Sequence, residues 1–151
     1  MSSVTSALSD VAASLSPDEL TKKVEEIKAA GNERFLKGDY TQAKALYTDA
    51  LSLNPNIVAI YSNRAICELK LEQYGLAIAD ATKAIELDAT FAKAYYRRAC
   101  AHLAILDPKA ALPDLKMVVK LDPRNAQVKM QLDATSKLCL LYTSDAADDT
   151  P

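Results

Sequence analysis

Small and apolar residues recur along the chain with a period of about 34 residues, and this recurrence predicts a helical repeat. Three segments align at this period, residues 24–57, 58–91 and 92–125. Ala43, Ala77 and Ala111 occupy one position in successive segments, and Pro55 and Pro123 lie two periods apart. Self-similarity at a fixed period of this size is the signature of a repeat architecture, in which each repeat is one supersecondary unit.

Each repeat is predicted to be a pair of antiparallel helices. A small residue recurs where the two helices would cross, at Gly31, Ala65 and Ala99 in the first helices. Prolines at 55 and 123 end second helices, because the residue before a proline avoids the helical region. The period and this pattern resemble the tetratricopeptide repeat (TPR), whose length is about 34 residues. The resemblance implies an all-α fold, a right-handed TPR superhelix of three helix-turn-helix repeats and a C-terminal capping helix.

The limits of the domain follow from two helix signals. The sequence Ser-Pro-Asp-Glu at residues 16–19 is typical of a helix start, with Ser as the cap and Glu three residues later. Residues 126–138 carry apolar Val128, Leu132 and Leu138 between charges, which predicts an amphipathic helix that caps the last repeat. The predicted TPR domain therefore spans residues 17–138, and residues 1–16 are predicted to be disordered.

The last residues, 139–151, change character and are predicted to be a disordered tail. The string CLLYTSDAADDTP has no helical period and a cluster of Asp. One interpretation is a natural acidic tail. We favour another, because eleven consecutive residues, 139–149, resemble the translation of a transposon-type sequencing adapter. Processing scars are excluded from fold reasoning, and on this interpretation the natural protein continues past Leu138 and this chain is its N-terminal piece.

Charge and cysteine content exclude several classes of function. With 18 basic and 20 acidic residues, the chain lacks the basic surplus that phosphate binding needs, so we predict no nucleic-acid partner. Its three cysteines form no Cys-x-x-Cys pair, so neither a disulfide framework nor a zinc site is predicted. No apolar run is long enough to span a membrane, and residues 1–16 lack the Lys and Arg of a targeting segment. We predict a cytoplasmic location, with the nucleus as a second one.

Five polar residues on the first helices predict a binding groove for an anion. Lys28 and Asn32 are four residues apart in the first repeat, as are Lys93 and Arg97 in the third, so each pair shares a helix face. Asn63 lies between them in the second repeat. Any one of these side chains is more simply interpreted as a solvated surface residue, and the prediction depends on all five together.

These five residues match, in register, the pattern of the carboxylate-clamp subset of TPR domains, which the sequence resembles. The resemblance implies a partner, namely the C-terminal Glu-Glu-Val-Asp tail of heat-shock chaperones of the Hsp90 and Hsp70 classes. A terminal Asp offers two carboxylates close together. Lysine supplies a point charge, arginine a planar donor fork and asparagine neutral donors.

Other polar residues are less clearly assigned. Arg64 and Arg98 are two further candidates for holding an acidic ligand, and a packing or intrahelix salt-bridge role is an equal alternative for Arg64. His102 is the only histidine. It has no partner for catalysis and no companion metal ligand, so we interpret it as structural.

The sequence is also similar to one family of phosphatases. The segments 74–88, 93–99 and 117–120 resemble the N-terminal domain of the serine/threonine protein phosphatase 5 family, over about residues 20–138. That resemblance implies a regulatory domain ahead of a two-metal catalytic domain, which needs Asp, His and Asn ligands around paired ions. One histidine cannot build that centre, so we predict no catalytic residue, cofactor or metal in this chain. A different co-chaperone and a generic TPR scaffold remain as alternatives.

Overall fold

The computed structural model describes the backbone of residues 2–148 and the side chains of residues 7–141. Within that part the chain forms eight helices and no strand. Their bounds are α1 Ser2–Ser14, α2 Pro17–Leu36, α3 Tyr40–Leu53, α4 Val58–Lys70, α5 Tyr74–Leu87, α6 Ala92–Ala104, α7 Pro108–Leu121 and α8 Ala126–Asp148. Helices α2 and α3, α4 and α5, and α6 and α7 pair as helical hairpins, as the repeat period predicts. The fold is that of a TPR superhelix.

The helix starts use the side chains that the sequence indicates. Ser16 Oγ accepts a hydrogen bond from the Glu19 N–H, and the Ser16 N–H donates to Glu19 Oε2 at 3.0 Å, which forms a complete capping box. Asp39 and Asp107 cap α3 and α7 through their side chains. One backbone donor in the first turn of each of α2, α3 and α7 is thereby satisfied.

The turn inside each hairpin adopts the same backbone conformation. Gly38, Glu72 and Leu106 all have positive φ, at 79°, 59° and 62°. These residues are one period apart, so each repeat passes through the left-handed region at the same point. Only the first repeat places glycine there, which is the residue that adopts this conformation without steric cost.

Most of the core residues that have no exposed surface are alanines. Ala43, Ala77 and Ala111 have no exposed surface, and neither do Ala65 and Ala99. The larger residues that fill the space around them, in two core clusters, include Tyr47, Ile60 and Leu115. Small residues let the helix axes approach closely, and their repetition accounts for the sequence period.

Two predictions about the ends of the chain are wrong. Residues 2–14, predicted to be disordered, form α1, because Leu8 and Ala12 give that segment an apolar face that packs against the first core cluster. Residues 139–148, also predicted to be disordered, extend α8 well past residue 138. No Gly or Pro interrupts α8, so its hydrogen bonds continue although Leu140 and Leu141 are exposed. Residue 1 and residues 149–151 lie outside the described part.

Candidate anion-binding groove

The first helices of the three repeats line a groove, and three of the five predicted ligands meet in one cleft within it. Asn32 comes from α2, Asn63 from α4 and Arg97 from α6. The Asn63 Nδ2 atom lies 3.4 Å from Asn32 Oδ1, so the two amides are in direct contact. Apolar and aromatic side chains complete the wall of this cleft, namely Phe35, Leu36, Tyr47 and Ile66.

Arg97 connects this cleft to its neighbours. A second cleft, with Lys93 on its wall, runs from Arg97 toward Val118 of α7 and Val128 of α8. A third lies between Ile66 and Cys100, and Arg97 borders it as well. The arginine therefore stands where the clefts meet, between Lys93 and the Asn32–Asn63 pair.

The Arg97 guanidinium is a cation without an anionic partner among the described residues. Its Nε atom is buried and makes no hydrogen bond, and the Tyr96 ring lies with its centroid 5.8 Å from Cζ. Burial lowers the pKa of Arg97, because removing water disfavours the charged form. A carboxylate placed in the cleft would supply both the missing acceptor and the missing charge.

Lys28 lies somewhat apart from the other predicted ligands. It is on α2, one turn before Asn32, and does not line the two clefts that hold the other four. Its Nζ atom is 3.9 Å from Glu25 Oε2, in a partly exposed pair. Such a pair is weak, so the lysine can turn toward an anion in the groove at little cost.

The two further arginine candidates are already fully bound within the protein. Arg64 donates from Nε and NH2 to both oxygens of Asp80, at 2.7 and 2.6 Å. Arg98 donates in the same way to Asp114, at 2.9 and 2.7 Å. Both carboxylates lie on second helices, and neither arginine lines the three clefts. Arg64 does form a salt bridge, but the bridge joins α4 to α5 and is not the intrahelix bridge of the prediction.

Tyr47 is the part of the site that the sequence analysis missed. It lies on a second helix, α3, outside the five predicted positions. Its hydroxyl donates to Asn32 Oδ1 at 2.5 Å. One feature of the sequence could have indicated this role. A tyrosine occurs at this position only in the repeat that carries Asn32, and the other two repeats have Ala81 and Leu115 there.

The groove presents hydrogen-bond donors and is therefore suited to a ligand that carries hydrogen-bond acceptors. The five predicted residues offer ammonium, guanidinium and amide donors, and the groups that define the central cleft can hold a carboxylate but supply no nucleophile with a base. In the described residues, no group of three or more His, Cys, Asp or Glu side chains is placed to hold a metal ion. Over the same part, no helix is both long and apolar enough to cross a membrane.

Comparison with known proteins identifies the class of protein. A family profile described as the tetratricopeptide repeat matches residues 29–57 and 58–91. The TPR2B domain of yeast Sti1, solved in complex with pHsp70, has a TM-score of 0.73 and 32% identity, over 78% of this chain and 98% of that domain. The first TPR of Spaghetti (RPAP3), bound to the HSP90 peptide SRMEEVD, has a TM-score of 0.77 and 28% identity, over 79% of this chain and 94% of that one. The chain belongs to the tetratricopeptide-repeat family.

Among curated proteins, one similar protein is more specific than the family. The chain is 42% identical over 117 residues to serine/threonine-protein phosphatase 5 of Rattus norvegicus. The match covers 78% of this chain but only 23% of the rat protein, so the chain spans about a quarter of that relative's length. The similarity lies in its N-terminal TPR region. A TPR domain is non-catalytic, and the phosphatase activity of such relatives belongs to a different domain.

Proposed function

We propose that this chain is a protein-interaction domain that binds the free C-terminal carboxylate of an acidic tail. One observation carries the proposal: Arg97 has a buried Nε atom, lacks an anionic partner among the described residues and shares a cleft with Asn32 and Asn63. The neighbouring Arg98 is fully paired with Asp114. Arg98 thus has its counter-ion within the protein, whereas the donors on the first helices do not. Such donors are suited to bind an anion that comes from another molecule.

The partners that we propose are heat-shock chaperones of the Hsp90 and Hsp70 classes, bound through their C-terminal tails. The Spaghetti domain is similar to this chain and was solved with an HSP90 peptide that ends in EEVD. The Sti1 domain was solved with pHsp70. The carboxylates of the terminal aspartate would be held by the five predicted ligands, and the cations among them would form charge-assisted hydrogen bonds. These five residues are Lys28, Asn32, Asn63, Lys93 and Arg97.

For the parent protein, we propose a serine/threonine protein phosphatase 5 in which this chain is the regulatory N-terminal part. The 42% identity to the rat phosphatase supports this. A two-metal centre would then belong to the catalytic domain and not to this chain. Another co-chaperone is the second candidate, because the similar TPR domains of Spaghetti and Sti1 belong to proteins other than phosphatase 5. A generic TPR scaffold is the third, and coding sequence past Leu138 separates the first two. Cytoplasmic and nuclear locations stay predictions.

Calorimetric titration with a Glu-Glu-Val-Asp peptide tests the proposed binding. We expect micromolar affinity, about −8 kcal/mol. Arg97→Ala should weaken binding by about 2 kcal/mol, because it leaves a ligand carboxylate in the groove without its strongest partner. Lys116→Ala is the matched control, since Lys116 is an exposed cation of α7 that lines none of the three clefts. Equal affinities for Arg97→Ala and Lys116→Ala would overturn the proposal.

A further inference from the structure

We infer that Tyr47 is a positioning residue for the groove: its buried hydroxyl fixes the Asn32 amide so that the NH2 group, and not the carbonyl oxygen, is presented to a ligand. The inference rests on the proposed function, because presenting a donor matters only if the ligand brings an acceptor such as a carboxylate. It adds a residue from a second helix to a site otherwise built from first helices.

Two donors converge on one oxygen of Asn32. The Tyr47 hydroxyl donates to Oδ1 at 2.5 Å, and the Asn63 Nδ2 atom approaches the same oxygen at 3.4 Å. A carbonyl oxygen has two lone pairs, so these contacts occupy both. The two N–H donors of Asn32 Nδ2 are then left for a group in the cleft that Asn32 lines.

The opposite orientation of the Asn32 amide would be unfavourable. It would place Nδ2 of Asn32 against Nδ2 of Asn63, two donors facing each other, and would leave the carbonyl oxygen directed at the ligand. A carboxylate would then meet an acceptor in place of a donor. In that orientation the Tyr47 hydroxyl could still accept a hydrogen bond from Nδ2, but its own proton would lose Oδ1 as its acceptor in a buried site. Tyr47 therefore favours the observed orientation, and more strongly than Asn63, whose 3.4 Å contact is long for a hydrogen bond.

Tyr47 is well placed to act as a constant donor. It is 1% exposed, so water does not compete for the hydroxyl. The same burial raises its pKa to about 12, and the phenol therefore keeps its proton at every pH at which the protein would bind a partner.

This arrangement belongs to the first repeat alone and is not needed to form a helical hairpin. The tyrosine ring lies directly against Gly31, the residue before Asn32 on α2. The three equivalent positions hold Ala65, Ile66 and Ala81 in the second repeat and Ala99, Cys100 and Leu115 in the third. In the first repeat the tyrosine ring fills the space that Gly31 leaves, as a phenylalanine ring would. The hydroxyl is not needed for that packing, and it contacts Asn32.

Tyr47→Phe tests the inference, with Tyr61→Phe as the matched control. Both variants remove one buried hydroxyl and keep the ring, but Tyr61 donates to the Pro55 carbonyl, at 2.8 Å, and not to a groove residue. Each protein is titrated with the acidic peptide as the free acid and as the C-terminal amide. We expect the ratio of the two affinities to fall roughly three- to tenfold in Tyr47→Phe and to stay at the wild-type value in Tyr61→Phe. An unchanged ratio in Tyr47→Phe would overturn the inference.

A double-mutant cycle separates positioning from a general loss of structure. If Tyr47 acts through Asn32, Tyr47→Phe should weaken acid binding in the wild-type background and have no further effect in Asn32→Ala. Equal losses in both backgrounds would count against the inference while leaving the proposed function intact. If the wild type itself bound acid and amide equally, the proposed function would fail, and the inference with it.

A measurement on the unaltered protein covers the case in which Tyr47→Phe does not fold. The Asn32 side-chain NH2 signals in a nitrogen-15 NMR spectrum should shift strongly when the free-acid peptide is added. Absence of any shift at saturating peptide would show that the amide does not face the ligand and would overturn the inference.

Discussion

The ring of Tyr47 packs against Gly31 so closely that a Cβ atom at residue 31 would lie 2.7 Å from Tyr47 Cε1. Real Cβ atoms do not come so near, and the ring is buried and tied to Asn32 through its hydroxyl, so it cannot easily move aside. The glycine is therefore required by its neighbour across the hairpin. In the second and third repeats the equivalent residues are Ala65 and Ala99. The residues at the tyrosine's position in those repeats are Ala81 and Leu115.

Gly31→Ala should destabilise the fold. Overpacking against a fixed ring costs about 1–3 kcal/mol, while alanine regains up to about 1 kcal/mol of helix propensity, so we expect a net loss of about 1 kcal/mol in the free energy of unfolding. Gly75→Ala is the control, because a Cβ there would meet nothing within 4 Å. Urea denaturation should show that Gly75→Ala is neutral or stabilising, and equal effects of the two substitutions would contradict the packing described.

The Arg98–Asp114 pair predicts a large effect from removing one partner. Asp114 is buried, and its loss would remove two of the three hydrogen bonds of the Arg98 guanidinium, leaving only the one to Thr82. Asp114→Ala should lower the free energy of unfolding by about 3 kcal/mol. Lys137→Ala breaks the exposed pair with Asp133 and should change stability by less than about 0.5 kcal/mol. Chemical denaturation of both variants checks the contrast, which would be refuted by comparable losses.

Glu68 predicts a dependence of stability on pH. Burial and the neighbouring Asp80 raise the pKa of Glu68 to about 8 from an ordinary 4.5, although Lys44, whose Nζ lies 3.4 Å from Oε2, and Arg64 act in the opposite direction. The folded state then holds a proton that the unfolded state releases near pH 4.5. The stabilisation is complete below that pH and is lost as pH rises toward and through about 8.

Glu68→Gln should remove this dependence, because glutamine does not ionise. Free energies of unfolding measured between pH 5 and pH 9 should fall in the wild type relative to the variant, with a slope of at most about 1.4 kcal/mol per pH unit. Parallel pH profiles for the two proteins would show that Glu68 keeps its ordinary pKa in the folded state.

Leu106 predicts a stabilising substitution. It has a φ of 62° and is 81% exposed, so it is strained without being buried, and the equivalent turn residue of the first repeat is Gly38. Leu106→Gly should stabilise the fold by about 0.5–1 kcal/mol. Leu36→Gly, at an equally exposed leucine in helical conformation, should instead destabilise it by about 0.5 kcal/mol. Thermal melts that showed the same sign for both would contradict this.

Much of the fold could be predicted because the same pattern of residues recurs in each repeat. The positions of Ala43, Ala77 and Ala111 indicated the period, and the signal at residues 16–19 indicated the start of α2, where the structure has a capping box. Helix α1 was missed because residues 1–16 contain no charged helix face and no clear cap. Only the contact of Leu8 and Ala12 with the core reveals why that segment folds.

The site could be predicted only as a set of residues on helix faces. Spacing places Lys28 beside Asn32 and Lys93 beside Arg97 on their own helices. It does not show which side chains meet across helices, since that depends on crossing geometry. The pairing of Arg64 with Asp80 and the bond from Tyr47 to Asn32 are contacts of that kind, 16 and 15 residues apart in sequence.

The most direct test of carboxylate binding changes the ligand and leaves the protein intact. Wild-type protein is titrated by calorimetry with a Glu-Glu-Val-Asp peptide whose C-terminus is either free or amidated. Amidation removes one negative charge and replaces an acceptor oxygen by a donor, so the amide should bind at least about tenfold more weakly, which is about 1.4 kcal/mol. Equal binding of the two peptides would contradict a groove in which Asn32, Asn63 and Arg97 hold a terminal carboxylate.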